Sequence, residues 1–530
     1  MTNLVVSITI GAYLVFMVLI GVYYSRKNRS TDDFYLGGRK LGPFVTAMSA
    51  EASDMSGWLL MGLPGLAYFS GIAEPIWTAI GLAVGTYLNW LIVSKRIRRY
   101  TQRIDSVTLP EFFSKRYGDK RNVLNLIAAL FILVFFVPYT ASGFVACGKL
   151  FAGFFDLDYT VAMILSAVVI VAYTVLGGFL AASTTDFMQS IIMTVALFGV
   201  LGFAIFNASD VGAADMFGEL KDSLLNMGQD HAGRLSLTSN MVVQDGAVAV
   251  GEYGPLTIIS TLAWGLGYFG MPHILLRFMA IEDENKLKTS RRVASVWVVI
   301  SMAVTILIGV FGALASYEGV NKVGNLSLAA GDASKAENII IEFAKMISEN
   351  GWMAAIFAGL VLAGILAATM STADSQLLAA SSSASQNIVT EFFGVKLSQK
   401  KSMLVARGTV LVIAALGVLL ALDQESSVFE IVSFAWAGFG AAFGPLVLMA
   451  LFWKNSNMWG ALSGMIVGGS MVFIWKFLLA PLGGVWAIYE LLPAFLLALL
   501  VNVVVSLATG GQKNRKILET FDEVAAKKKA

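Results

Sequence analysis

Apolar runs long enough to cross a bilayer as helices, about 20 residues each, recur thirteen times along this chain of 530 residues. Their approximate limits are 4–25, 44–70, 75–94, 122–153, 160–177, 187–207, 256–280, 293–316, 351–386, 405–421, 427–452, 459–479 and 484–508, numbered here as spans 0 to 12. Two of them are interrupted. Span 1 holds Glu51 and Asp54 and then Gly57, Gly62, Pro64 and Gly65, and span 6 carries the string Trp264-Gly-Leu-Gly-Tyr-Phe-Gly-Met-Pro-His273. A charge inside the hydrocarbon is costly. Main chain may unwind there only where protein or a water-filled cavity surrounds it. The pattern therefore predicts two broken helices at a binding site within a helical bundle.

Spans 1 and 6 are five positions apart. An odd offset makes them cross in opposite directions, as the matching helices of an inverted repeat do. Broken helices at matched repeat positions point to a secondary transporter with its site near the midplane. An unwound turn frees carbonyls for a cation and amides for a carboxylate, and the half-helix N-terminus adds a positive dipole. The competing reading is that these Gly and Pro residues only permit close packing or a kink. On span 8, Ala368, Ser371, Thr372, Ser375, Ala379, Ser382 and Gln386 recur at steps of three and four, which puts small and hydroxyl side chains on one helical face. Such a face serves as a packing seam, and its hydroxyl oxygens also suit a hard cation.

Composition agrees with the pattern. The chain is 57% hydrophobic and 14% charged, against about 25% charged in soluble domains. Lys and Arg concentrate in the connections after spans 0, 2, 6, 8 and 10 and in the tail, whereas the opposite set holds Lys221, Arg234, Lys322, Lys335 and Lys345. That bias puts the N-terminus outside and the C-terminus in the cytoplasm, and the expected location is the plasma (inner) membrane, as a multi-pass protein. The first apolar run has no preceding Lys or Arg and reads as a retained anchor. One cysteine, Cys147, excludes an internal disulfide, and two histidines, His231 and His273, argue against a His-rich metal site or proton relay. No Walker motif is present, so direct ATP coupling is unsupported. Residues 338–348 read as a short amphipathic surface helix, and the basic tail as a solvated end able to touch anionic lipid.

Several strings carry a family resemblance: Phe34-Tyr-Leu-Gly-Gly-Arg39, Ser53-Asp-Met-Ser-Gly-Trp-Leu-Leu-Met-Gly-Leu-Pro-Gly65, Tyr173-Thr-Val-Leu-Gly-Gly-Phe-Leu-Ala181 with Thr185-Asp186, Trp264-Gly-Leu-Gly-Tyr-Phe-Gly270 and Met370-Ser-Thr372. In them the chain resembles the sodium/solute symporter family, most closely its sodium/proline branch. The resemblance implies a LeuT-type fold, with spans 1–5 and 6–10 as the repeats and a sodium ion between spans 1 and 8. The implied ion ligands are the carbonyls of Ala52, Met55 and Ala368 and the hydroxyls of Ser371 and Thr372. The implied substrate residues are Ser56, Trp58, Tyr139, Trp264, Tyr268 and Pro272, with Asp54, Arg39 and Asp186 in coupling or gating. Aromatic walls suit a proline ring and attract its secondary ammonium. Met271 stands where family members commonly carry glutamine, and Glu51 and Asp374 read as bystander carboxylates.

The expectation is an all-α membrane protein of 13 transmembrane helices with a LeuT-type 5+5 inverted repeat and broken helices 1 and 6. Its parts are an N-terminal helix and loop (1–43), a first repeat (44–207), an external loop (208–255), a second repeat (256–458), two further helices (459–508) and a basic tail (509–530). The expected function is sodium-coupled import of L-proline by alternating access, as a monomer in membrane lipid, with no nucleic-acid partner and no enzymatic activity. A sodium symporter for another small amino acid or carboxylate is the nearest alternative, and a transporter-like membrane sensor is one of another class.

Overall fold

The computed structural model describes residues 2–25, 35–208, 234–244, 247–317 and 333–526. Phe34, His231 and the basic residues Arg26, Lys27, Arg29, Lys221, Lys322 and Lys527 to Lys529 lie outside these, as does most of 208–233. Ten described helices are long and apolar enough to cross a membrane, and the bent pair Pro255–Phe269 and Pro272–Ala280 makes eleven. The two remaining runs, spans 1 and 4, contain shorter apolar helices, Trp58–Ser70 and Tyr159–Ala172. The thirteen sequence segments thus all correspond to helical structure, but two fall below spanning length taken as single helices.

Span 0 is the helix Thr2–Ser25. Span 1 begins with Pro43 at its first position, where a missing amide costs nothing, and runs as Pro43–Asp54, a π-helical turn Trp58–Gly62 and Leu63–Ser70. Span 2 is one rod, Ala73–Arg103. A short helix, Leu109–Tyr117, follows it. Thr108 accepts from the Glu111 amide and Glu111 accepts from the Val107 amide, so each side chain satisfies an amide at the helix start. Span 3 is Val123–Phe155. Spans 4 and 5 form one helical stretch, Tyr159–Ala208, broken at Gly178 (φ 72°, ψ 177°), a conformation open to glycine. Span 7 is Leu287–Tyr317, span 8 Trp352–Ser382, span 9 Gln399–Leu420, span 10 Val428–Phe452, span 11 Met458–Ile474 and span 12 Leu491–Ala508.

Burial ranks the spans. The apolar window of span 10 is 83% buried and that of span 8 is 72%, against 28% for spans 0, 9 and 11. Spans 8 and 10 are therefore the centre of the bundle, and polar groups on span 8 must find partners in protein. The α-helix of span 8 passes into a π-helix at Ser383–Phe392, so the small-residue face ends at Ser382 and Gln386 leaves it to donate to Glu391. Spans 2 and 6 approach so closely that a Cβ on Gly85 would fall 2.3 Å from the Gly265 carbonyl.

The fold is all-α in class, and the expected external loop adds one antiparallel hairpin, Ser239–Gln244 with Ala247–Glu252, β1 and β2. Two features differ from the sequence reading. The segment expected to form a surface helix is helical at Ile339–Ser348, but its Ile339, Ile340, Ile341, Phe343 and Ile347 are buried against the bundle. The tail is not a free solvated end. Its helix Arg515–Ala525 buries Phe521 and Val524, the Arg116 guanidinium lies 5.1 Å over the Phe521 ring, and Glu523 and Asp522 pair with Arg103 and Lys454. The hydrogen bond from Arg103 holds the Glu523 carboxyl below its ordinary value. Amphipathic spacing of Phe521 and Val524, three apart on one face, is what the count of basic residues concealed.

Candidate ion and substrate site

Span 1 unwinds at Met55, whose dihedrals (φ −79°, ψ 71°) leave the helix although its amide still reaches the Glu51 carbonyl at 2.8 Å. The break precedes the Gly and Pro residues that signalled it. Gly65 lies inside the next helix, where a Cβ would sit 2.7 Å from the backbone of Glu337, so it serves close packing. Unwinding leaves the Asp54 carbonyl to other donors: the Ser56 amide at 2.9 Å, the Trp58 indole at 3.1 Å and the Tyr139 hydroxyl at 3.2 Å. The Trp58 amide lies 3.5 Å from the Ser56 hydroxyl. The Asp54 carboxylate is fully buried. Its Oδ2 accepts from the Tyr268 hydroxyl at 2.6 Å, and its Oδ1 has no partner.

Tyr268 and Trp264 come from the 3₁₀ turn Ala263–Phe269 of span 6, after which the chain breaks at Gly270–Met271 and resumes as Pro272–Ala280, bent by 44°. Trp58 and Trp264 stand with ring centroids 6.3 Å apart, and Trp264 also meets Phe429, Trp436 and Tyr489 at 5.3, 6.1 and 5.2 Å. The Trp436 indole donates to the Trp264 carbonyl at 2.8 Å and meets the Tyr268 ring edge-on at 5.1 Å. The structure therefore brings Asp54, Ser56, Trp58, Tyr139, Trp264 and Tyr268 into one aromatic, buried shell, with Pro272 opening the half-helix below it.

Two residues back along span 1 from Asp54, at Ala52, lies the second cluster. The Ser371 hydroxyl reaches the Ala52 carbonyl at 2.7 Å and the Ala368 carbonyl at 3.0 Å, and the Thr372 hydroxyl reaches the Ala368 carbonyl at 3.2 Å. Four of the five expected ion ligands are thus neutral oxygens gathered between spans 1 and 8. The fifth, Met55, ends the same turn, but no described contact joins its carbonyl to the other four. Among the described residues no group of His, Cys, Asp and Glu is arranged to hold a metal. Neutral carbonyl and hydroxyl oxygens match a hard, weakly held cation.

The other two expected coupling residues lie away from the break. Arg39, half-buried, follows Gly37 and Gly38 in a left-handed run and donates to the Met279 carbonyl at 2.7 Å and the Ser106 carbonyl at 2.8 Å, so it ties the end of span 6 to the basic end of the bundle. Asp186 accepts from Ser49 at 2.7 Å and from Arg277 at 3.1 Å. Arg277, absent from the sequence reading, also donates to Ser49, Ser375 and the His273 carbonyl. It links spans 1, 5, 6 and 8 in a fully buried ion pair. An arginine inside an apolar run was the available signal. Asp374 belongs to the same cluster through Ser375. Glu51 accepts from Thr86 at 3.1 Å and Trp90 at 2.9 Å, which joins span 1 to span 2.

A model of the sodium:solute symporter family matches residues 34–468. The chain belongs to that family. This sodium:solute symporter is 42% identical to the sodium/proline symporter of Haemophilus influenzae over 519 residues, covering 97% of each chain. It is 39% identical to the osmoregulated proline transporter OpuE of Bacillus subtilis over 506 residues, covering 95% of each. Among solved structures, the substrate-bound outward-open state of a sodium-coupled sialic acid symporter superposes with a TM-score of 0.75 at 18% identity, covering 96% of this chain and 99% of that one. That likeness is one of fold, and it establishes the LeuT-type architecture. The symporter is an integral multi-pass membrane transporter and not an enzyme.

Proposed function

We propose that this sodium:solute symporter imports L-proline together with one sodium ion by alternating access. Ala52, Met55, Ala368, Ser371 and Thr372 hold the ion, and Ser56, Trp58, Tyr139, Trp264, Tyr268 and Pro272 line the substrate site. The observation that carries this reading is the shared turn: within residues 52–58, one carbonyl meets the Ser371 hydroxyl of span 8 while the next turn organises the Asp54 shell. An ion that orders this turn completes the substrate site, and the coupling is reciprocal, each ligand raising affinity for the other. The names of the relatives at about 40% identity over nearly the whole chain support proline as substrate.

In this reading residues 44–207 and 256–458 are the two repeats, the N-terminus is outside, and the basic end, with Arg39 and the Asp186–Arg277 pair, is the cytoplasmic gate of a functional monomer. One charge moved through 100 mV contributes about 2.3 kcal/mol. A tenfold ion gradient adds about 1.4 kcal/mol, so one ion supports roughly 500-fold accumulation of a zwitterion. The test is radiolabelled proline uptake into proteoliposomes under an imposed sodium, proton or no gradient, with a competition panel of amino acids and carboxylates. Uptake driven by sodium alone and displaced only by proline-like compounds is expected. Preference for another substrate, or drive by protons alone, refutes the reading.

A further inference from the structure

The half-helix Pro272–Ala280 contains a group that the site described above does not use. His273 is completely buried, and neither its Nδ1 nor its Nε2 has a hydrogen-bond partner. An imidazole always offers at least one N–H donor, and leaving buried polar atoms unpaired is costly, so the ring marks a place where a polar partner belongs. That place is the break. The His273 ring lies 5.9 Å from Phe136 and 6.3 Å, edge-on, from Tyr139, and Tyr139 is the residue whose hydroxyl donates to the Asp54 carbonyl.

The same position is the start of a helix. Met271 provides no side-chain cap, and Pro272 fills the first position. First-turn amides have no acceptor within the helix, and they form its positive pole. The Met271 side chain is buried and carries no donor, which leaves His273 as the side-chain donor at this end. Asp54 Oδ1, in the shell that Tyr139 closes, is also buried without a partner. A zwitterionic imino acid carries the two complementary groups, a carboxylate that accepts and a secondary ammonium that donates.

We propose that His273 is a substrate-binding residue whose ring N–H donates to the substrate carboxylate at the uncapped start of the 272–280 half-helix, while Asp54 Oδ1 accepts from the ammonium. The proposal rests on the imino-acid reading of the site and names the residue that recognises its charged end. Such a bond contributes roughly 10- to 100-fold in affinity.

The experiment measures equilibrium binding of radiolabelled proline to the purified full chain in saturating sodium, with competition by pyrrolidine, which keeps ring and ammonium but has no acceptor in place of the carboxylate. His273→Met should weaken proline by roughly 10- to 100-fold and leave pyrrolidine unchanged, and His273→Gln, which retains an N–H, should recover part of the loss. Equal weakening of both ligands, or no weakening of proline, overturns the proposal. Wild-type protein that binds no proline in sodium refutes the imino-acid reading itself, a separate result. A measurement without substitution guards against misfolding of the variants. The chain has two histidines, so carbethoxylation of His273 by diethyl pyrocarbonate is resolved by mass spectrometry. Protection by sodium with proline is expected. Modification at the same rate with and without proline, or none in either state, overturns the assignment.

Discussion

Removing one oxygen, in Tyr268→Phe, tests how the broken helix is organised. The Tyr268 hydroxyl gives the Asp54 carboxylate the one hydrogen bond described for it, at 2.6 Å, while Oδ1 has none. Phenylalanine keeps the ring against Trp436 and leaves the residue 268 carbonyl free to accept from Asn89 as it does now at 2.9 Å. Buried apolar area is therefore nearly unchanged, and the perturbation is one hydrogen bond to a buried charge. Such bonds are worth about 1.5–3 kcal/mol, which corresponds to roughly 10- to 150-fold in apparent proline affinity at 1.4 kcal/mol per decade. The assay is proline binding to purified protein in saturating sodium, with thermal melting as a control for folding. The cycle closes with Asp54→Asn and the double variant. If the hydroxyl acts through Asp54, the double variant is no worse than Asp54→Asn by more than about 0.5 kcal/mol. Additive losses, or wild-type affinity in Tyr268→Phe, refute the argument that this contact sets the geometry of the break.

Three further outcomes are expected. Thr372→Ala removes one of the clustered oxygens and should raise the sodium concentration for half-maximal uptake by about tenfold; an unchanged sodium dependence removes residues 368–372 from the ion site. Arg277→Met strands the buried Asp186 carboxylate and should destabilise the protein by about 3–5 kcal/mol, read as lost melting temperature in detergent and partly restored by adding Asp186→Asn; a normal melt of the single variant contradicts the structural weight given to that pair. Trp264→Ala should raise the apparent proline constant more than it lowers the melting temperature, and a pure stability loss would make that ring a packing element only.

The position of the break shows how a correct sequence signal can sit a few residues off. Gly57, Gly62, Pro64 and Gly65 marked span 1 as interrupted, yet the main chain leaves the helix at Met55, before any of them. Backbone permissiveness says where unwinding is cheap; the donors that capture a freed carbonyl decide where it happens, and here those donors are Trp58 and Tyr139 around Asp54. Span 8 behaved differently. Its hydroxyl face at Ala368, Ser371 and Thr372 followed from helical periodicity alone, because a regular helix converts spacing directly into direction. Arg277 was passed over because a charge in an apolar run signals a partner without naming it, and Asp186, 91 residues away, becomes that partner only when spans 5 and 6 pack together.

The sequence by itself determined that this chain spans a membrane many times, that spans 1 and 6 break, and that hydroxyls line one face of span 8. These are properties of composition and local periodicity, which act along the chain. Tertiary structure alone decided that the freed Asp54 carbonyl faces Tyr139, that Ala52 meets Ser371, that Glu51 belongs to Thr86 and Trp90, and that the tail helix docks through Phe521. Each of these pairs joins elements distant in sequence. Their geometry is fixed by how buried helices satisfy the polar groups that hydrocarbon cannot, and no local pattern encodes that choice.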